Sequence, residues 1–248
     1  MADGSFEIRG KKSFVTNGRQ ADSYVLSTVA VDPEADPNLF SCVLVNKGDE
    51  GLRWGSEWSG LGMRGNSSLG LELEKVTIAP HRLLGEQGDQ LWYIFTVVAP
   101  YFLTAMSATY LGIAQAAFNE ARQHLLSRNY THSGQTLSQA PLLQHRLGTL
   151  WAKIERTRRL LYYAAQEGDA GNFDALPAIL AAKAEVATCA VEVVNEAMTL
   201  SGGIAYRENG RFSVLLRDVR AAHIMSPTTD LLYTWLGRAL LDQPILSD

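Results

Sequence analysis

The spacing of apolar residues changes character at Gly88, and that switch limits what the chain can fold into. Before it the pattern is that of short strands. Phe6 to Arg9 alternates until Gly10 breaks it, and Ser13 to Thr16 follows, ended by the tight-turn pair Asn17-Gly18. Tyr24 to Val31 is a β-branched run closed by Asp32-Pro33, and Leu39 to Val45 is another. Leu71 to Glu74 alternates ahead of Val76 to Ile78. Period-two runs separated by turn residues predict a small sandwich or barrel.

After Gly88 the period becomes helical. One helix is expected from about Leu91 to Arg128, with a break near Pro100. A second is expected from about Ser138 to Gln166, where Leu143, Leu147, Leu150, Ile154 and Leu161 form one stripe. A third starts after Asp174, a suitable N-cap, and stops at Gly202-Gly203. A fourth runs from Leu215 or Thr228 to Leu241. Long helices on short polar loops make an antiparallel bundle. The expected class is therefore α+β: a small β-sandwich or barrel domain over 1–88 and an antiparallel four-helix bundle over 89–248.

At 248 residues the chain can bury a full core, and its net charge of −4 argues against a nucleic-acid partner. No membrane span and no secretory signal is read from the sequence, and the chain is expected to be cytoplasmic. Cys42 and Cys189, the only cysteines, are read as buried, reduced small hydrophobes, with no metal site.

Four local patterns carry the chemistry. The first is Gly10-Lys11-Lys12-Ser13-Phe14-Val15-Thr16-Asn17-Gly18, with Phe14 and Thr16 two apart on a strand and so on one face. The second is Leu61-Gly62-Met63-Arg64-Gly65-Asn66-Ser67-Ser68, followed by Pro80 and Leu83-Leu84-Gly85. The third is Arg128 at the end of the first long helix. His132 beyond it is read as a solvated loop histidine rather than a phosphate contact. The fourth joins Lys183, Asn195-Glu196-Ala197, Ser201-Gly202-Gly203, Arg217-Asp218, Ile224 and Thr228.

Taken in order, these patterns resemble the acyl-CoA dehydrogenase family: its middle β-domain and its C-terminal helical bundle. The resemblance implies an FAD-dependent oxidoreductase acting on an acyl-CoA or related acyl thioester. Phe14 and Thr16 would face the flavin. Arg128 would reach the FAD diphosphate of a neighbouring subunit, where a guanidinium fork suits paired oxygens. Thr199, Gly202, Gly203 and Thr228 would also contact the cofactor. The resemblance further implies a homodimer or homotetramer, an electron-transfer flavoprotein as partner, and an N-terminal helical domain supplied by a separate chain or lost.

The sequence departs from the family pattern where the reaction needs a base. Ser226 stands in the slot of the usual glutamate, and Pro100 to Leu103, the alternative location, has no acid. Asp230 is a weak substitute, better read as a helix-start carboxylate. Two alternatives stay open: a reduced-flavin-dependent monooxygenase of the same fold, which needs no such base, and a non-catalytic scaffold.

Overall fold

The computed structural model describes residues 4–31, 40–88, 90–131 and 134–246. They divide into two compact units, Met1–Ala99 and Pro100–Asp248.

The first unit holds two three-stranded antiparallel sheets. One has β1 (Phe6–Val15), β5 (Leu69–Ile78) and β4 (Leu52–Trp54) in the order β1-β5-β4. The other has β2 (Ser23–Val29), β3 (Phe40–Asn46) and β6 (Leu83–Leu84) in the order β2-β3-β6. Ile8, Tyr24, Leu26, Val43, Val45, Leu71, Leu73, Val76 and Ile78 from both sheets form one core. The class expected from the sequence is therefore the one observed.

Two details differ from the sequence reading. Gly10 does not break a strand: β1 runs through it, with register shifts against β5 between Ile8 and Gly10 and between Lys12 and Val15. Opposite the first shift, Lys75 adopts a left-handed φ of 57°. That irregularity changes the parity of β5, so Leu71 and Leu73 before it and Val76 and Ile78 after it all point inward. Nor does Asn17-Gly18 close a hairpin. The strands on either side of it lie in different sheets, so the turn carries the chain from one sheet to the other.

Beyond β6, α1 (Gln90–Tyr93) leads into a π turn over Ile94–Val98, in which the Ala99 N–H donates to the Ile94 carbonyl. Pro100 lacks an N–H and would clash with a carbonyl four residues back, and widening the turn before it removes that conflict. The expected break near Pro100 takes this form.

The second unit holds α2 (Ala99–Ser127), α3 (Pro141–Ala170), α4 (Ala175–Ser201), α5 (Arg211–Val219), α6 (Ala221–Ile224) and α7 (Thr229–Leu240). The most buried helix is α4, with Ala184, Val186, Ala187, Ala190, Val193, Val194 and Ala197 all inaccessible. It runs antiparallel to α3, as shown by Lys153 paired with Glu192 at 2.6 Å and Arg146 paired with Glu196. The hydroxyl of Tyr233 on α7 donates to Glu185 on α4 at 2.7 Å, and Arg158 on α3 donates to Gln115 on α2 at 2.6 Å. The fourth helix is not one element. Leu215 lies within α5, which starts at Arg211, α6 is a single turn, and α7 follows its N-cap Thr228, so of the two expected starts only Thr228 marks the start of a helix.

Asp174 occupies the N-cap position of α4, although its side chain makes no capping bond. Of the predicted stripe on α3, Leu150, Ile154 and Leu161 are buried and Leu143 and Leu147 half-buried. Cys42 and Cys189 are buried in β3 and α4, and neither is in a disulfide. Ile94–Ser127 is helical and apolar enough to cross a membrane, with a mean hydropathy of 1.5. Here it packs Tyr110, Ala114, Ala117, Phe118 and Ala121 inward, yet only 22 % of its apolar window is buried within the chain.

Candidate functional site

The predicted site residues fall into three groups. The first lies in the β-unit. Val15 is buried, while Phe14 and Thr16 on either side of it are exposed, so the pair does share a face. Phe14 ends up 74 % exposed, an unusual cost for a phenyl ring, and Thr16 stands one residue past the end of β1. Both border a groove of about 480 Å³ that also takes in Lys12, Tyr24, Val25 and Ser27. The Thr16 hydroxyl has no protein partner among the described residues. Lys12 spends its ammonium on the Ser27 carbonyl at 2.7 Å.

This rim is fixed by the second sequence pattern. The Asn17 N–H donates to the Asn66 carbonyl at 2.9 Å and the Gly18 N–H to the Ser67 carbonyl at 3.0 Å. The Ser67 hydroxyl returns a bond to the Gly18 carbonyl at 3.2 Å. The Asn17 carbonyl accepts from Gln20, Ala21 and the Tyr24 hydroxyl. Two stretches singled out separately in the sequence thus form one rigid corner.

The second group gathers at one end of the bundle. Arg128 follows the last residue of α2, exposed, with its N–H on the His124 carbonyl and no ion pair among the described residues. His124 titrates below the usual histidine range, because of burial first and the neighbouring Arg128 charge second. His132 lies outside the described residues. At the end of α4, the exposed Thr199 hydroxyl bonds back to the Asn195 carbonyl at 3.0 Å. Gly202 caps that helix with φ 63° and ψ −152°, a conformation essentially confined to glycine. The space a Cβ would fill at Gly203 is open. The antiparallel course of α2, α3 and α4 puts Arg128 and the glycines at the same end.

The third group surrounds Ser226. Ser226 is exposed in a bend between α6 and α7. Thr228 is the N-cap of α7, its hydroxyl accepting from the Leu231 N–H at 3.4 Å. Asp230 is exposed in the first turn of α7, where a carboxylate complements the helix dipole. Ser226 is not helical, so the two do not share a helix face. Inside this bend lies a cluster of which the sequence reading singled out only Lys183, without its partners. Lys183 is fully buried and donates to the Ala222 carbonyl at 2.9 Å, with its Nζ 5.8 Å from the centre of the Tyr110 ring. The Tyr110 hydroxyl contacts Met225 Sδ at 3.0 Å, and His223 Nδ1 lies 2.9 Å from the Thr229 hydroxyl. A signal was available: Lys183 sits amid Ile179, Leu180, Val186 and Ala187 at helical spacing, so it had to point inward. From Lys183 to Gly202 the helix runs roughly 28 Å, so the second and third groups stand well apart.

The chain thus joins a small two-sheet β-unit to a bundle of long helices, each unit carrying exposed turns. Residues 1–76 match the acyl-CoA dehydrogenase middle domain, and residues 103–241 match the acyl-CoA dehydrogenase C-terminal domain. The chain belongs to the acyl-CoA dehydrogenase family. Its relatives include "Probable acyl-CoA dehydrogenase fadE25" of Mycobacterium leprae, 28 % identical over 97 % of this chain and 61 % of that one. Among solved structures, butyryl-CoA dehydrogenase from Megasphaera elsdenii superposes with a TM-score of 0.89 at 25 % identity, covering 97 % of this chain and 62 % of that one. Dibenzothiophene monooxygenase from Paenibacillus shares the fold, with a TM-score of 0.86 at 21 % identity over all of this chain and 68 % of that one. The chain thus spans about 61 % of the length of the curated relatives it matches.

The family implies a flavin. The residues fit one: the groove offers an exposed aromatic ring and a hydroxyl with no protein partner, and the exposed glycine pair leaves open space where side chains would otherwise stand.

Proposed function

We propose that this chain works within an FAD-dependent oxidoreductase of the acyl-CoA dehydrogenase type, acting on an acyl-CoA or related acyl thioester. In this reading residues 1–88 serve as the β-domain and 89–248 as the bundle domain. The observation that carries it is the groove with Phe14 and Thr16 on its rim, in a chain whose family membership is established. When bound, FAD supplies the acceptor for the hydride leaving the β-carbon of the thioester. Phe14 covers a flat apolar surface and excludes water from it, while the Thr16 hydroxyl bonds a polar edge. Arg128, Thr199, Gly202 and Gly203 bind the diphosphate end of a cofactor held by a second copy, and Thr228 lines the site beside Ser226. The open apolar face of α2 supports a homodimer or homotetramer. An electron-transfer flavoprotein is the partner that suits this class.

Removal of the α-proton needs a carboxylate whose pKa burial has raised. Ser226 cannot serve alone, and Asp230 is exposed at a helix start. This gap favours a second reading, a reduced-flavin-dependent monooxygenase, in which no α-proton is removed. Flavin titration tests the shared part: no FAD binding at concentrations on the order of 100 µM would remove both readings and leave a scaffold. Oxygen consumption with reduced flavin, set against bleaching of bound FAD by acyl-CoAs, then separates the two enzymes.

A further inference from the structure

Burying Lys183 completely works against stability. A fully buried ammonium loses its hydration, and apolar residues of similar volume in such places are often neutral or stabilising. Burial alone pulls the Lys183 pKa down to about 8. A methionine would fill the same space in α4 without that cost. What a methionine could not do is donate a hydrogen bond to the Ala222 carbonyl. That carbonyl lies in the single turn of α6, where the chain leaves helical geometry and Met225 is extended at φ −70° and ψ 128°. It is one of the terminal carbonyls that a helix leaves without an intrahelical partner, and Lys183 supplies the donor. From α2, Tyr110 holds the next residues through Met225. Burial, and then the charge of Asp218, raise the Tyr110 pKa to about 12, so it stays a neutral donor across the working range.

We propose that Lys183 is a positioning residue: with Tyr110 it latches the segment from Ala221 to Thr228 to the bundle and so fixes where Ser226 and Thr228 stand. The importance of that segment rests on the function proposed above; the latch itself does not. The ionisable groups around it come from every neighbouring element: Tyr110 on α2, Asp218 on α5, Arg220 and His223 at α6, and Asp230 on α7. His223 is itself held below the usual histidine range by burial, then by Arg220 and Lys183, with Asp230 opposing. Because the folded pKa of Lys183 lies below its unfolded value near 10.5, the unfolded chain holds a proton that the folded one gives up between these values. Wild-type stability should therefore rise as pH climbs from about 8 towards about 10.5, and its cost is full below about 8.

The test is Lys183→Met followed by hydrogen exchange, melting and FAD titration. At neutral pH the variant is expected to melt no lower than wild type, and to lose the rise in stability above about pH 8. Exchange in residues 221–228 should quicken at least about tenfold while α4 stays protected. Tyr110→Phe, which removes only the hydroxyl, should quicken the same segment on the order of threefold, and it serves alone if the methionine variant does not fold. Unchanged exchange in that segment overturns the latch. So does a lower melting point with exchange raised evenly through the bundle, which would make Lys183 an ordinary structural residue. Quickened exchange with FAD affinity unaltered upholds the latch and instead counts against the placement of Thr228 beside the cofactor.

Discussion

The indole of Trp58 stands edge-on to the ring of Phe14, with centroids 6.1 Å apart and planes at 90°. Such T-shaped pairs contribute about 0.5–1.5 kcal/mol beyond burial. The indole cannot drift: its Nε1–H donates to the Gly62 carbonyl at 3.3 Å, and a Cβ on Gly60 would lie 2.0 Å from its ring. The stretch that leads into the second sequence pattern thus packs against the aromatic ring in the first. We predict that Trp58→Leu weakens FAD binding by about two- to tenfold, in line with the loss of that pair. Titration of the apo-protein followed by flavin fluorescence measures it. An unchanged dissociation constant would show that the plane of Phe14 does not matter to the cofactor.

The two glycines after α4 should separate fold from function. Gly202 needs its backbone conformation, so Gly202→Ala is expected to cost about 1–3 kcal/mol, a fall in melting temperature of about 2–4 °C for each kcal/mol. Gly203 has an ordinary φ and open space around it. Gly203→Ala should leave the melting temperature within about 1 °C. If Gly203 is bare so that a cofactor can approach its backbone, the same substitution weakens FAD binding. Equal, unimpaired binding in both variants would assign the pair to helix termination alone.

Much of this organisation was legible in the sequence because it rests on period and punctuation. The switch at Gly88, the helix stop at Gly202 and the exposed pair Phe14 and Thr16 all follow from patterns of two or of three to four residues. The sheet pairing was not legible. It depends on Lys75 and Gly10 shifting register together, and nothing local in Lys75 announces a left-handed backbone. The division of the last helix was half-legible, since Pro227 marks the break before α7 while nothing local marks the one at Arg220 between α5 and α6. The Lys183 cluster joins residues from α2, α4 and α6, and only the inward bearing of the lysine could be read from its neighbours.

Arg128 makes no ion pair among the described residues and its side chain is exposed, so the fold has little need of it. We predict that Arg128→Ala leaves the melting temperature almost unchanged but weakens FAD binding about tenfold, or about 1.4 kcal/mol, the scale of a lost charge-assisted bond. Arg128→Lys should restore only part, because an ammonium cannot present a paired fork to a diphosphate. Full affinity in the alanine variant would leave Arg128 as a helix-end cation and nothing more.

The last prediction concerns turnover. We predict that this polypeptide by itself has little or no acyl-CoA dehydrogenase activity. Ser226 lies where the resemblance puts the base, and it has no carboxylate beside it on a helix face, since the chain is not helical there. Asp230 is exposed in the first turn of α7, not enclosed in the dry pocket in which a carboxylate takes a weakly acidic carbon-bound proton efficiently. General-base catalysis is worth about two to four powers of ten, so what remains from positioning alone would be slight. Anaerobic mixing of the flavin-loaded protein with acyl-CoAs of several chain lengths is the measurement. Rapid bleaching of the oxidised flavin band would refute the prediction and point to Asp230 or another acid, in which case Asp230→Asn should abolish bleaching with FAD still bound. Ser226→Glu is expected to raise the rate only if the bend admits the longer side chain in the right direction. Pro227 restricts the backbone of the residue before it, so the gain should fall short of the full two to four powers of ten. A Ser226→Glu variant that reached that full gain would show that the rest of the site is already arranged for dehydrogenation and that the base alone is missing.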